Sequence, residues 1–261
     1  MNRLQKTMTL LLALTFAVMA FFVAGCKKSS SNAVTPSTGI TDDLFPLTLG
    51  HQITYTGYLR AILVDTNITA TGPAYATSWT VLSNSQATPL GGTSSLIMDS
   101  TRVPTGIANP ATITIPTPLF VQRATPTGSA NFSFLQNIGL FYRTFGIARP
   151  DSLRWILIGK LDAGVGVSWA AFDSSWTIGT AAYELKIVGL FVDQESITVG
   201  GQTFSTYKLT LTQNVLAGGA TIASSPLATF WLAKGIGPVK MILNATSEAN
   251  GHYREFHSKN F

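Results

Sequence analysis

The sequence predicts an all-β protein: one large antiparallel sheet, curved into a half-barrel or closed as a sandwich or barrel, behind an N-terminal signal helix and a flexible tether. Three observations carry this expectation. From about Leu44 to the end, runs of alternating apolar and polar residues follow one another. Turn signals separate those runs at short intervals, which leaves no room for the crossover helices of a parallel sheet. Thr is abundant, and β-branched residues favour strands. The 261 residues are 46% hydrophobic but only 11% charged, against about 25% charged in an ordinary soluble domain. Apolar content is therefore ample for a core, and disorder is excluded.

Residues 1–25 read as an export signal. Arg3 and Lys6 supply the positive start, an apolar stretch runs from Met8 to Val23, and small residues close it. The apolar run is shorter than the ~20 residues a spanning helix needs. Val23-Ala24-Gly25-Cys26 resembles a bacterial lipobox. The resemblance implies that Val23, Ala24 and Gly25 are read by the signal peptidase, that the Cys26 thiol receives a diacylglycerol, and that the chain is cut before it. Two or three acyl chains hold a protein on a bilayer where one does not. Cys26 is the single cysteine, so its acylation leaves no thiol for disulfides, redox chemistry or zinc-cysteine sites. Lys27 stands where enterobacterial lipoproteins kept at the inner membrane carry Asp, which implies the outer membrane. The partners expected are the membrane, through the anchor, and lipid or other envelope proteins.

Of 17 basic residues, Arg3, Lys6, Lys27 and Lys28 lie at the amino end, which leaves 13 against 12 acidic ones. The body is nearly neutral and has no basic cluster, so nucleic acid is not an expected partner.

Residues 26–43 begin with the lipidated Cys26 and are small, polar and aperiodic, as a tether should be. Residues 44–261 form the β domain, with about a dozen strands expected. Strand-like runs are 52–65, 78–82, 95–98, 111–115, 132–135, 140–145, 153–158, 167–178, 183–192, 196–199, 203–212, 228–233, 239–244 and 252–261. Gly91-Gly92, Gly200-Gly201, Gly218-Gly219 and Asn250-Gly251 sit between runs and suit the positive φ of tight hairpins. Pro104, Pro110, Pro116, Pro118 and Pro126 predict edge strands and long loops in the middle, because proline cannot donate to a ladder. A faint internal echo pairs Gly50-His51-Gln52-Ile53 with Gly166-Val167-Ser168-Trp169.

Leu44-Phe45-Pro46-Leu47-Thr48-Leu49-Gly50-His51-Gln52-Ile53-Thr54-Tyr55 resembles the F-P-L-x-x-G-x-x-W-x-Y opening of uncharacterised envelope lipoproteins frequent in Bacteroidetes–Chlorobi-type bacteria, with Ile53 at the tryptophan position. Gly164–Trp169, Val199–Tyr207 and Trp231–Val239 are similar to the G-x-x-W, G-x-F-x-T-Y and G-x-G-x-V elements of those proteins. More distantly, the chain is similar to the lipoprotein-carrier fold, a half-barrel whose concave face holds acyl chains and whose helices close the cavity; no amphipathic helix is evident here.

Catalytic patterns are thin. On a strand, His252 and His257 point to opposite faces, leaving only Glu255 with His257, too few ligands for a metal. Gly166-Val167-Ser168-Trp169-Ala170 falls one residue short of a nucleophile elbow and continues as strand. The carboxylates, Asp99 among them, are scattered singly and read as solvated groups near strand ends. No catalytic residue, metal site or cofactor is expected. The aromatics are read mostly as core. Phe172, Trp176, Trp169 and Trp231 are the candidates to face an apolar ligand or a sugar ring. Phe172 and Trp176 share strand parity, and Trp169 joins them only across a bulge. The expected function is a non-catalytic, lipid-anchored binding module for a lipid or acyl chain. The alternatives are a structural surface lipoprotein without a cavity, or a glycan-binding β domain.

Overall fold

A computed structural model describes residues 39–60, 74–104, 112–124, 131–244 and 251–261. Alternation builds its strands. In β2 (Ala74–Ala87), Tyr75, Thr77, Trp79 and Val81 are buried and the residues between them less so, the period-2 pattern of a sheet with one face on a core. The other strands are β1 (Gln52–Arg60), β3 (Thr93–Pro104), β4 (Thr112–Ala124), β5 (Asn131–Asn137), β6 (Leu153–Gly159), β7 (Ser168–Ile178), β8 (Ala181–Val199), β9 (Gln202–Ala217), β10 (Ala220–Ala233), β11 (Gly237–Leu243) and β12 (Gly251–Lys259). Among the described residues they form one 12-stranded sheet in the order β6-β5-β4-β3-β2-β1-β12-β11-β10-β9-β8-β7. All ladders between neighbours are antiparallel, including β1 with β12. The two edges approach each other: Trp169 Nε1 on β7 donates to the Leu157 carbonyl on β6 at 2.9 Å, and Val165, in the segment that joins them, bridges Phe191 of β8. The sheet is thus nearly closed into a barrel, and the all-β expectation holds.

Turn chemistry follows the sequence. Gly91-Gly92, Gly200-Gly201 and Gly218-Gly219 all have positive φ, the conformation that matches hairpin twist. Asn250 lies outside the described residues, as do residues 1–38 and with them Val23, Ala24, Gly25 and Cys26. The proline expectation is met at Pro116 and Pro118, while Pro110 and Pro126 lie outside the described residues and Pro104 ends β3, an inner strand of the sheet. β4 pairs with β3 from Thr112 to Val121 but with β5 only from Val121 to Ala124. Pro116 and Pro118 therefore lie where the strand has a neighbour on one side only.

Two readings are corrected. Residues 140–145 are not a strand: α1 (Gly139–Thr144) is a short helix. Ile138, Phe141, Tyr142 and Phe145 follow i, i+3, i+4, i+7 spacing, and the first three are buried, so helical periodicity beats the apparent run. The runs 183–192 and 196–199 are one strand, β8, bent by a bulge between Phe191 and Asp193 rather than interrupted.

One end of the barrel, where β1 begins, is corked. Residues 39–49 cross it, with Ile40, Leu44 and Phe45 buried. Phe45 stacks on Phe132 at 4.7 Å, and the Ile40 N–H donates to the carbonyl of Leu161 in a 3-10 turn, Leu161–Ala163. Asp43 pairs with Arg123 at 3.1 Å and Asp42 with Lys234 at 2.8 Å. Residues 39–43, grouped with the tether on composition, pack here as part of the domain.

Candidate functional site

The barrel interior holds two features side by side, a polar network and a cavity. The network starts at Gly57, whose cross-strand partners are Arg254 on β12 and Tyr75 on β2. Without a side chain at 57, the Tyr75 ring lies over the glycine and Arg254 Nε reaches the Tyr75 hydroxyl at 3.3 Å. The same hydroxyl is hydrogen-bonded to His252 Nδ1 at 2.6 Å. Arg254 Nη1 donates to Asp99 Oδ2 at 2.7 Å, and Nη2 to Thr101 Oγ1 at 3.3 Å. Thr77 and Thr101 hydroxyls donate to Asp99 Oδ1 at 2.8 and 3.0 Å.

Asp99 and Arg254 are both buried, which overturns the reading of Asp99 as a solvated acid. It sits mid-strand at an inward position between Ile97 and Thr101. A charge there survives only because it is paired and hydrogen-bonded. Burial opposes the charge of Arg254, but Asp99, with help from Tyr75, more than offsets that and raises its pKa. Burial pushes His252 down to about 4, with Arg254 adding to the effect, so the imidazole is neutral at pH 7. Burial likewise raises the Tyr75 pKa. The network is therefore a girdle built around one buried ion pair, Asp99 with Arg254, and its hydrogen-bonded neighbours.

Beside it lies a cavity of ≈ 210 Å³ between opposite walls of the barrel. Trp79, Phe134, Ile156 and Ile158 line one side, Leu211, Ala228 and Phe230 the other, and Phe141 of α1 closes part of it. Asp99 is its polar floor, and half-buried Leu119, Gln136, Leu227, Leu243 and Asn244 form its rim. The rim lies towards the end where β5 and β11 finish, opposite the cork. Trp79 also borders a second, ≈ 20 Å³ pocket under the cork with His51 and Phe45. Trp79 Nε1 and His51 Nδ1 are buried without hydrogen-bond partners.

The four aromatics singled out from sequence stand elsewhere. Trp169 lies across Gly189 at the barrel seam. Trp176 stacks on Tyr183 at 5.7 Å and meets Tyr142 edge-on. A bulge between Ala170 and Phe172 brings Trp169 and Trp176 to one face despite their odd separation. Phe172 is half-buried beside them. Trp231 is apart from all three, covered by Glu195, to which its Nε1 donates at 2.6 Å, and flanked by Lys240 and Lys208. None of the four lines the two interior cavities. His252 joins the girdle, whereas His257 is exposed at a bulge facing β1. Among the described residues no three His, Cys, Asp or Glu side chains gather as a metal site would require.

The cavity was missed because its walls come from strands far apart in the chain. One signal was available: an acid, Asp99, at an inward position of an alternating strand.

No family model matches the chain, and no curated protein matches it. Two solved structures are similar to it. One is of a provisionally assigned lipoprotein from Parabacteroides distasonis, with 13% identity and a TM-score of 0.41 over 85% of this chain and 99% of that one. The other is of a provisionally assigned exported protein with a YmcC-like fold from Bacteroides fragilis, with 15% identity and a TM-score of 0.42 over 86% of this chain and 100% of that one.

Proposed function

We propose that the chain is a lipid-anchored protein of the bacterial cell envelope, held at the outer membrane through acylated Cys26, and that its barrel is a non-catalytic binding module for an apolar ligand such as a lipid or acyl chain. The observation that carries the ligand reading is the ≈ 210 Å³ interior cavity. Its walls are almost wholly apolar, and protein interiors are otherwise packed with few voids larger than a water. An apolar cavity of ~150 Å³ is known to stay dry and to take a benzene. Filling this one removes apolar surface from water on the ligand's side at about 25 cal/mol per Å². The position of α1 at the rim supports the comparison with carrier folds, in which helices close the cavity.

1-Bromoheptane tests the ligand reading, because bromine quenches a tryptophan it touches. Saturable quenching is expected in the full chain, and most of it is lost in Trp79→Phe. Weak, linear quenching that is the same in both proteins would overturn the reading. The anchor is tested separately: Cys26→Ser is expected to leave an unprocessed or soluble product. Unchanged membrane retention with an uncleaved amino terminus contradicts lipidation.

A further inference from the structure

This inference rests on the reading of the interior cavity as a ligand site and adds what the ligand carries at its inner end. Trp79 and Asp99 are cross-strand partners on β2 and β3, a relation that places Cβ atoms about 5 Å apart. Both line the cavity. The indole Nε1 of Trp79 is a buried donor with no acceptor, a condition native interiors nearly always avoid. Asp99 has the opposite surplus. Its Oδ1 accepts from Thr77 and Thr101, while Oδ2 accepts from Arg254. A carboxylate offers about four acceptor positions, so one remains, on Oδ2.

We infer that the cavity takes an apolar molecule bearing a hydroxyl group, seated with the hydroxyl against Trp79 and Asp99. A hydroxyl accepts from the indole N–H and donates to the carboxylate, completing both at once. Other head groups complete one or neither. An ether or ketone accepts from Trp79 but brings no proton for Asp99. An ammonium serves Asp99 and leaves the indole unpaired. A fatty carboxylate is repelled by Asp99, and the cation that would welcome it, Arg254, is already held by Asp99, Thr101 and Tyr75. Size sets the apolar part: scaled from a benzene in ~150 Å³, the site takes about eight non-hydrogen atoms.

Thermal denaturation of the full chain with 1-heptanol and with 1-methoxyhexane tests this. The two have the same heavy atoms, and only the alcohol donates. Wild-type protein is expected to be stabilised by the alcohol at concentrations about tenfold below those the ether requires. In Trp79→Phe, which keeps an aromatic ring against Phe45, Tyr55 and Phe134, both compounds lose the indole donor, so both should be needed at severalfold higher concentrations while the alcohol keeps its advantage through Asp99. Equal stabilisation by alcohol and ether in wild type overturns the inference and leaves the apolar site standing. So does stabilisation by either compound at the same concentrations in Trp79→Phe as in wild type. The second result fits an indole satisfied instead by a water in the ≈ 20 Å³ pocket with His51. If neither compound shifts the midpoint while bromoheptane also fails to quench, the ligand reading itself falls.

Discussion

At Gly57 a hydrogen atom stands where any other residue would drive a Cβ into the Tyr75 ring. That ring is not free to move, because its hydroxyl ties Arg254 to His252. Gly57→Ala is therefore expected to cost about 1–3 kcal/mol of stability by overpacking, read from urea unfolding; no change would mean the ring relaxes freely. Arg254→Met leaves Asp99 buried and unpaired, and should cost about 3–5 kcal/mol. Adding Asp99→Leu should recover most of that loss, because apolar replacement of a whole buried pair is often neutral. His252 gives the pH dependence. Its folded pKa, about 4, lies below the ordinary ~6.5, so the unfolded chain binds the extra proton. The contribution is full above about pH 6.5 and fades as pH falls to 4, by roughly 3 kcal/mol at most. In His252→Gln the midpoint should depend less on pH across that window.

Among the elements, β4 shows how a strand edge is kept from pairing. Residues 112–120 have β3 on one side and no described strand on the other, and Ile113 and Ile115 are 51% and 45% exposed. Since the β3 ladder runs through Pro116 and Pro118, their nitrogens face the free side, which thereby lacks two donors. The variant Pro116→Thr/Pro118→Thr restores them and is expected to self-associate more than wild type in light scattering, with little change in melting temperature. Much of this level was legible in the sequence. Paired glycines marked hairpins through their φ, and prolines marked the edge through their missing N–H. Helix α1 was legible too, in the spacing of Ile138, Phe141, Tyr142 and Phe145, but a six-residue element gives too few turns to outweigh an apolar run. The bulge that brings Trp169 and Trp176 together left no mark, because one extra residue changes parity without changing composition. The girdle was illegible for a different reason: Asp99 and Arg254 are 155 residues apart, and only the path of β12 back to β1 joins them.

On the scale of the whole molecule, the chain meanders through six strands from β1 to β6 and six from β7 to β12, and the two halves meet at β1–β12 and nearly at β6–β7. Gly50 and Gly166, the residues of the internal echo, precede β1 and β7 and share a φ of 81°. Closing such a sheet around a core leaves an interior, and the cork at one end and α1 at the other decide how much of it stays open. The cavity is what the account stands on. Ala228 is part of its wall, so Ala228→Leu should fill space without straining the barrel and leave thermal stability equal or higher, by up to about 1 kcal/mol. Native mass spectrometry of the full chain purified from a lipid-containing host is the most direct measurement. A non-covalent apolar adduct on the wild type, absent from Ala228→Leu, is the expected result, and a clean mass for both proteins contradicts it.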